Sequence, residues 1–286
     1  LQFPKTQTYL AHKATAYLSG KIKSKVELGS LSIAFPKTVV LDELYIEDLH
    51  KDTLLYSHSL NIDINLWDLL SNKIAINSID ANQLTAHLHG EFPDTNYNYS
   101  FIADAFSSPK ADTAQKPKDS TGGWQFSIKH IKLQNIYLTY NDTLGGTIAN
   151  IKLGELETTL DAFDLDNKKF HAETIKLLNS AVGLVQNKPR KKQKPNTQPF
   201  DYDIGLDKID FTNVKASYID GEQSTNLDVD LGTLLVEMKK LDIKNERIDI
   251  KSLALKSTSA FYVFNKIVTA DTVVQKINQK AGVKNE

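Results

Sequence analysis

The sequence contains no cysteine. Disulfides and thiolate metal sites are therefore excluded, and a periplasmic or a cytosolic setting fits equally. No run of ~20 apolar residues is present, so no segment qualifies as a membrane-spanning helix. An excess of one charge is also missing: 34 Lys and Arg stand against 35 Asp and Glu, a formal net charge of -1. No global field draws such a chain to nucleic acid or to an anionic membrane. The motifs G-x-S-x-G, G-x-x-x-x-G-K-[ST] and H-E-x-x-H are absent. Gly122-Gly123 and Gly145-Gly146 lack the strand-to-helix context of a phosphate loop, and His12, His50, His58, His130 and His171 are scattered. With no triad or dyad to assemble, no catalytic residue, no cofactor and no enzymatic activity is expected.

What the chain does have is one-sided strand pattern. Its 286 residues, 41% hydrophobic and 24% charged, suit a folded chain with a large core or two modest domains. Leu60, Ile62, Ile64 and Leu66 alternate with Asn61, Asp63 and Asn65, the period of a half-buried strand. Trp67 to Lys73 breaks the alternation and reads as a kinked or helical turn. The strand pattern resumes at Ile74 and Ile76, shifts phase to Ile79 and Ala81, and shifts again to Leu84, Ala86 and Leu88. Such odd spacings call for β-bulges. Upstream, Val26 and Leu28, then Leu31, Ile33 and Phe35, alternate before a turn at Pro36-Lys37. Val39 and Leu41 give way to Leu44 and Ile46 with another slip, and Asp48 to Asp52 reads as a turn.

A helix is expected from Phe3 to Gly20, with Pro4 at its first position and Gly20 as its cap. Its apolar residues, Phe3, Tyr9-Leu10, Ala14 and Tyr17-Leu18, suit packing on the domain end, plugging an open sheet, or resting on a membrane surface. Tyr97, Tyr99, Phe101 and Phe106 read as one more strand, or as a strand with a short helical end.

Two polar stretches, Ser107 to Gly123 and Asn187 to Pro199, read as linkers. The second is basic through Lys188, Arg190, Lys191, Lys192 and Lys194, but without interleaved aromatics it reads as a solvated loop. Between and after the linkers lies a repeat. Asn135, Tyr140, Asp142, Gly154, Leu156, Asp164 and Asn167 recur 78 positions later as Asn213, Tyr218, Asp220, Gly232, Leu234, Asp242 and Asn245. Each unit reads strand, turn, strand, Asp-x-x-Asn turn, strand. The expected organisation is helix and groove start over 1–106, linker 107–123, repeat 124–188, basic linker 189–199, repeat 200–266, and a linker or tail over 267–286, with a frayed helix over Val273 to Ile277. The chain opens on Leu1 rather than Met, so the expectation is a removed leader or a piece of something longer. The same expectation places a further unit just past its end.

Units of a few strands must stack on their neighbours to bury a core. The fold expected is all-β: one elongated, curled, mainly antiparallel sheet forming an open apolar groove (a β-taco), with an N-terminal amphipathic helix. An open one-sided sheet needs a cover, supplied by its own curl, the helix or a bound apolar ligand. His87 and His89 share a strand face at a spacing metals use, with Glu91 the nearest carboxylate. Asp201/Asp203 and Asp228/Asp230 are similar pairs. A polar outer strand face explains all of them, and no metal ligand is assigned.

Three passages carry a resemblance: FPKTQTYLAHKATAYLSGK (Phe3 to Lys21), VELGSLSIAFPKTVVLDELYIED (Val26 to Asp48) and LNIDINLWDLLSNKIAINSIDANQLTAHLH (Leu60 to His89). Their order and spacing resemble the start of AsmA-like superfamily proteins, in particular the amino-terminal region of the TamB-type translocation and assembly proteins of the Gram-negative envelope. The resemblance implies a periplasmic β-groove anchored to the inner membrane through a segment absent from this chain. It implies phospholipid as partner, carried toward the outer membrane, and an outer-membrane barrel-assembly partner reached through a carboxy-terminal region also absent. No nucleic acid is implied. On this reading the lipid-binding residues are Ile33, Leu60, Ile62, Ile64, Ile74, Ile76, Leu84, Leu88, Ile131, Leu133, Leu156, Ile209 and Leu234. A one-residue slip swaps their face, and for each the alternative is ordinary packing between layers. The alternative functions are a scaffold that pairs strands with outer-membrane protein clients, and a plain structural or adhesive repeat protein.

Overall fold

The computed structural model describes residues 4–34, 38–65, 68, 73–90, 96–106, 125–164, 167–187, 202–221, 224–243 and 247–264. The two linkers (apart from Asn187), the tail with Val273 to Ile277, the Pro36-Lys37 turn and nearly all of the Trp67 to Lys73 break lie outside the described residues.

Helix α1 spans Pro4–Ile22. Pro4 takes the first helical position, where its missing N–H leaves no bond unmade. The expected stop at Gly20 is passed. The helix runs on to Ile22, and the chain leaves it through Lys23 at φ 56°, the left-handed conformation that usually falls to glycine. Ile22 accounts for the two extra residues, because its side chain is buried, as is that of Val26 at the start of the sheet. The Val26 N–H donates back to Ser19 Oγ at 3.0 Å. Ala11 is buried too, whereas Tyr9 and Tyr17, expected on the packed stripe, are 59% and 65% exposed. Gly20 therefore sits in a helix interior with open space where a Cβ would go. Gly20→Ala is expected to stabilise the chain by about 0.5–1 kcal/mol in urea denaturation.

The strands are β1 (Val26–Glu27), β2 (Ser30–Ala34), β3 (Thr38–Glu47), β4 (Thr53–Ile64), β5 (Lys73–Gly90), β6 (Gln125–Asp142), β7 (Thr147–Asp164), β8 (Lys169–Gln186), β9 (Asp203–Asp220), β10 (Thr225–Asp242) and β11 (Arg247–Phe264). A short helix α2 (Ser100–Phe106) precedes β6. All strands join one sheet in the order β1-β3-β4-β5-β6-β7-β8-β9-β10-β11, with β2 also on β3. The sheet never closes. Helix α1 packs against β1, β2 and α2 at its first edge. The expected strand at Tyr97 to Phe101 is a single bridge from Tyr97 to Gly90, after which the chain turns helical.

The six strands from β6 to β11 are each 18 residues long, and β9, β10 and β11 repeat β6, β7 and β8 at the 78-residue offset. An odd number of strands per unit has a topological result. The last strand of one unit and the first of the next point the same way. Accordingly β5–β6 and β8–β9 are parallel, and every other pair is antiparallel. Parallel neighbours need a crossover of a dozen or more residues, which is what the linkers provide.

The phase slips line up across the sheet. Glu43, Gln83, Asn135, Asn179, Asn213 and Ser257 all take φ between 48° and 55°. Each separates two apolar runs, as Asn135 separates Ile131 and Leu133 from Ile136 and Leu138. One left-handed residue shifts the period of two by one, so both runs reach the same face. In the antiparallel pairs the residue facing the kink is His58, Gly154 or Gly232. In the parallel pairs two kinks adjoin, and Asn side chains bridge the strands: Asn135 Nδ2 donates to Asn82 Oδ1 at 3.0 Å and Asn213 Nδ2 to Asn179 Oδ1 at 2.7 Å. The slip from Ile76 to Ile79 is a β-bulge at Asn77, where the pairing shifts between Asp63 and Ile64. Similar shifts fall at Leu160 in β7 and Met238 in β10.

Candidate functional site

Residues directly opposite one another in a sheet share a face, so the register traces rows from strand to strand. One row on the first side of the kinks reads Ile33, Val39, Ile62, Ile79, Ile131, Thr158, Ile175, Ile209, Val236, Leu253. The next reads Leu31, Leu41, Leu60, Ala81, Leu133, Leu156, Leu177, Phe211, Leu234, Leu255. Beyond the kinks a third reads Ile46, Leu55, Ala86, Leu138, Ile151, Val182, Ala216, Val229, Ala260. No charged residue occurs in any of the three. Together they form the inner face of the sheet.

Ile33, Leu60, Ile62, Ile131, Leu133, Leu156, Ile209 and Leu234 occupy these rows, and Ile64, Ile76, Leu84 and Leu88 share the inner face by alternation and register. Ile74 lies in β5, but its side chain falls outside the described residues.

Burial gives the inner face its shape. Just beyond the kinks, Ser57, Ile136, Ser180, Val214 and Leu231 are all buried, at 0 to 9% exposure. The rows farther out are mostly half-buried. Each strand packs against its sheet neighbours, α1 packs on β1 and β2, and among the described residues no second layer packs on β3 to β11. Residues in a single sheet are buried this way when the two halves of their own face fold toward each other. The kink line is thus the floor of a trough. The serines in the floor turn their hydroxyls to the backbone. Ser180 Oγ donates to Leu178 O at 2.8 Å and accepts from the Gly154 N–H at 3.2 Å, and Ser57 Oγ donates to Ser59 O at 3.2 Å. The floor therefore presents little hydrogen-bonding capacity to the trough.

Thr158 breaks the first row. Its hydroxyl is buried and has no hydrogen-bond partner among the described residues. Leaving such a group unpaired costs about 1–3 kcal/mol. Thr158→Val should therefore raise the stability by about 1 kcal/mol, read from the urea midpoint at unchanged slope.

The opposite face is charged. Lys176 Nζ lies 3.3 Å from Glu155 and 3.6 Å from Glu157, and Gln134 Nε2 donates to Glu155 at 3.1 Å. Burial pushes the Glu155 carboxyl up, but the bonds from Lys176 and Gln134 and the charges of Lys132 and Lys176 outweigh it and hold it below its ordinary range. At the first kink, hydrogen bonds from Tyr56 and then His58 hold the Glu43 carboxyl down in the same way.

One rim of the trough carries an aromatic group. Tyr97 stacks on Tyr99 and Tyr140 at centroid distances of 5.3 and 6.0 Å, over the backbone of Gly90, where a Cβ would meet its ring at 2.8 Å. The Tyr140 hydroxyl donates to Tyr97 Oη at 3.2 Å, and Tyr97 donates to Asp142 at 3.3 Å. Burial, first, and the Tyr97 contact push the Tyr140 hydroxyl far above its usual value.

The polar pairs singled out in the sequence separate. His87 Nδ1 lies 2.8 Å from Thr139 Oγ1, while His89 turns toward Asp48 and His50. Asp203 meets His171 Nε2 at 3.0 Å, and Asp230 meets Lys215 at 3.4 Å. Asp201 and Glu91 lie outside the described residues. What the sequence did not reveal is the role of Asn135, Asn179, Asn213, Gly154 and Gly232 as a kink line. The signal was present, since four of the five are matched positions of the repeat.

These features define a class: an open, single-sheet trough with an aliphatic inner face, a charged back and helices at its first edge. No family model and no curated protein matches the chain.

Proposed function

We propose that the chain shields the acyl chains of phospholipid in its trough and lets the lipid move along it. The carrier would be bridge-like and non-enzymatic, working in the periplasm between the inner and outer membranes of a Gram-negative envelope. The observation that carries this reading is the inner face itself: three mainly aliphatic rows running across the sheet, with no charged residue in them and, among the described residues, no second layer packed on β3 to β11. Each CH₂ kept from water is worth roughly 0.8 kcal/mol, so an acyl chain crossing an aqueous space gains from an unbroken apolar lining. A lining without strong polar anchors also lets lipid slide. The envelope setting, the inner-membrane anchor and the barrel-assembly partner rest on the resemblance of the first strands to AsmA-like, TamB-type proteins. Native mass spectrometry of the purified chain tests the reading. Phospholipid is expected to co-purify, and a chain repeatedly free of lipid with this face still open would sink the idea.

One observation favours a second reading, a scaffold for outer-membrane protein assembly. Among the described residues nothing pairs with the far side of β11, whose Leu253, Leu255, Phe261, Tyr262 and Phe264 are all more than half exposed. An open edge of this kind accepts an added strand. Crosslinks from β11 to nascent outer-membrane proteins, in place of bound lipid, would favour it.

A further inference from the structure

The turn between β3 and β4 brings a carboxylate and two imidazoles together. Asp48, His50 and His89 each offer a ligand atom, and the three atoms lie within 4.8 Å of one another. The Asp48 side chain is fully buried and that of His89 is 25% exposed. His50 is exposed. His89 Nε2 stands 3.9 Å from Asp48 Oδ2. That is too long for a hydrogen bond, and it is within the span one metal ion bridges at ~2.0–2.2 Å from each ligand.

The surroundings hold these groups in place. Asp48 Oδ1 accepts the N–H groups of His50 and Asp52 at 2.8 and 3.0 Å. Asn98 Nδ2 donates to Asp48 Oδ2 at 3.2 Å, and Asn98 Oδ1 accepts the His89 N–H at 2.9 Å. One amide thus fixes both the carboxylate and the strand end that carries His89, the kind of support that orients metal ligands.

The repeat supplies an internal comparison. Asp142 closes the β6–β7 turn in the same manner, with Oδ1 accepting from the N–H groups of Leu144 and Gly145 at 3.0 and 2.9 Å. Asp220 ends β9 at the matching position. Leu144 stands where the first unit has His50. The place of His89, next to last in its strand, is taken by Val185 in β8 and Val263 in β11. The carboxylate alone makes the turn, and the two histidines are an addition peculiar to the first unit.

We propose that Asp48, His50 and His89 form a binding site for Zn²⁺. Two imidazole nitrogens and one carboxylate oxygen, without thiolate, suit a borderline divalent ion better than Mg²⁺ or Ca²⁺. The bound ion ties the β3–β4 turn to the end of β5 and, through Asn98, steadies α2 at the first edge of the trough. This holds whatever the trough carries.

The test is calorimetric titration of the chelator-stripped full chain with Zn²⁺, and with Mg²⁺ and Ca²⁺ as comparators. One equivalent of Zn²⁺ is expected to bind, with slower amide exchange over residues 98–106. His50→Ala and His89→Ala should each weaken binding by at least the roughly ten- to hundredfold that loss of a mere supporting outer-shell group costs, and both should keep the wild-type circular dichroism spectrum. His58→Ala, which removes an imidazole on the kink line, should leave binding unchanged. Absence of a stoichiometric Zn²⁺ isotherm, or affinity untouched by His50→Ala and His89→Ala, would overturn the site.

Discussion

Gly154→Ala and Gly232→Ala are each expected to destabilise the sheet by about 2–4 kcal/mol, although each adds a single methyl group to a half-buried strand position. A Cβ on Gly154 would stand 2.6 Å from Asn179 O and 2.8 Å from Leu178 O, and one on Gly232 2.5 Å from Ser257 O and 2.8 Å from Lys256 O. The obstructing atoms are backbone carbonyls of the neighbouring kink and the Cβ atoms of Asn179 and Ser257, none of which a side-chain rotation can move away. Either the kink relaxes and the two halves of the inner face splay, or the ladder parts there. Gly183→Ala is the control. Its nearest obstacle is the Ser217 hydroxyl at 3.3 Å, a group that can turn aside, and the change should stay within about 0.5 kcal/mol. Chemical denaturation of the three variants measures the difference. Equal midpoints for Gly154→Ala and Gly183→Ala would mean that the kink line does not constrain the fold.

If the trough carries phospholipid as proposed, Val182→Asp should remove most of the bound lipid, while Ala181→Asp on the same strand should remove none. Val182 faces the trough between Ile151 and Ala216. A carboxylate there keeps its water. If that hydration holds even two methylenes of a passing acyl chain in water, the loss is about 1.6 kcal/mol, or roughly tenfold in occupancy. Ala181 faces the back of the sheet with Lys152 on one side and Lys215 on the other, so an added Asp there gains cationic neighbours. Lipid counted by mass spectrometry on both variants, each checked for wild-type circular dichroism, separates the trough from the back. Equal lipid on both would mean that lipid sits elsewhere.

Much of this architecture was legible in the residues. Alternation of Leu60, Ile62 and Ile64 with polar partners fixes a one-sided strand, and the 78-residue offset predicts three-strand units that share a sheet. The odd spacings were legible as breaks, but only one of the two in β5 is the expected bulge. The other is a left-handed residue, Gln83, and nothing in the name of an exposed polar residue marks its backbone angle. Register hides behind the same limit. Each strand's pattern says which residues share a face, but pairing across strands is needed to show that the faces agree. The parallel joints follow from the odd strand count, a parity argument that local pattern does not contain. Helix α1 overran Gly20 because the burial of Ile22 is a tertiary effect. Asp48 was legible only as a turn residue, since its neighbour His89 is distant in sequence and arrives through β4 and β5.

The kinks also set how such a sheet can change length. In β3–β4–β5 and in both repeats the order is the same: a left-handed residue, then His58 or a glycine, then a left-handed residue. Across an antiparallel pair the two types face each other, and across a parallel joint like meets like. A single inserted strand would set two left-handed residues face to face in an antiparallel pair, or a glycine beside one at a parallel joint. A whole three-strand unit inserts between existing neighbours and disturbs neither. With strands about 4.8 Å apart, each unit lengthens the trough by about 14 Å, and β3 to β11 span roughly 38 Å. Trough length therefore grows in fixed steps, and a duplicated unit yields a longer channel with its floor unbroken from the first generation.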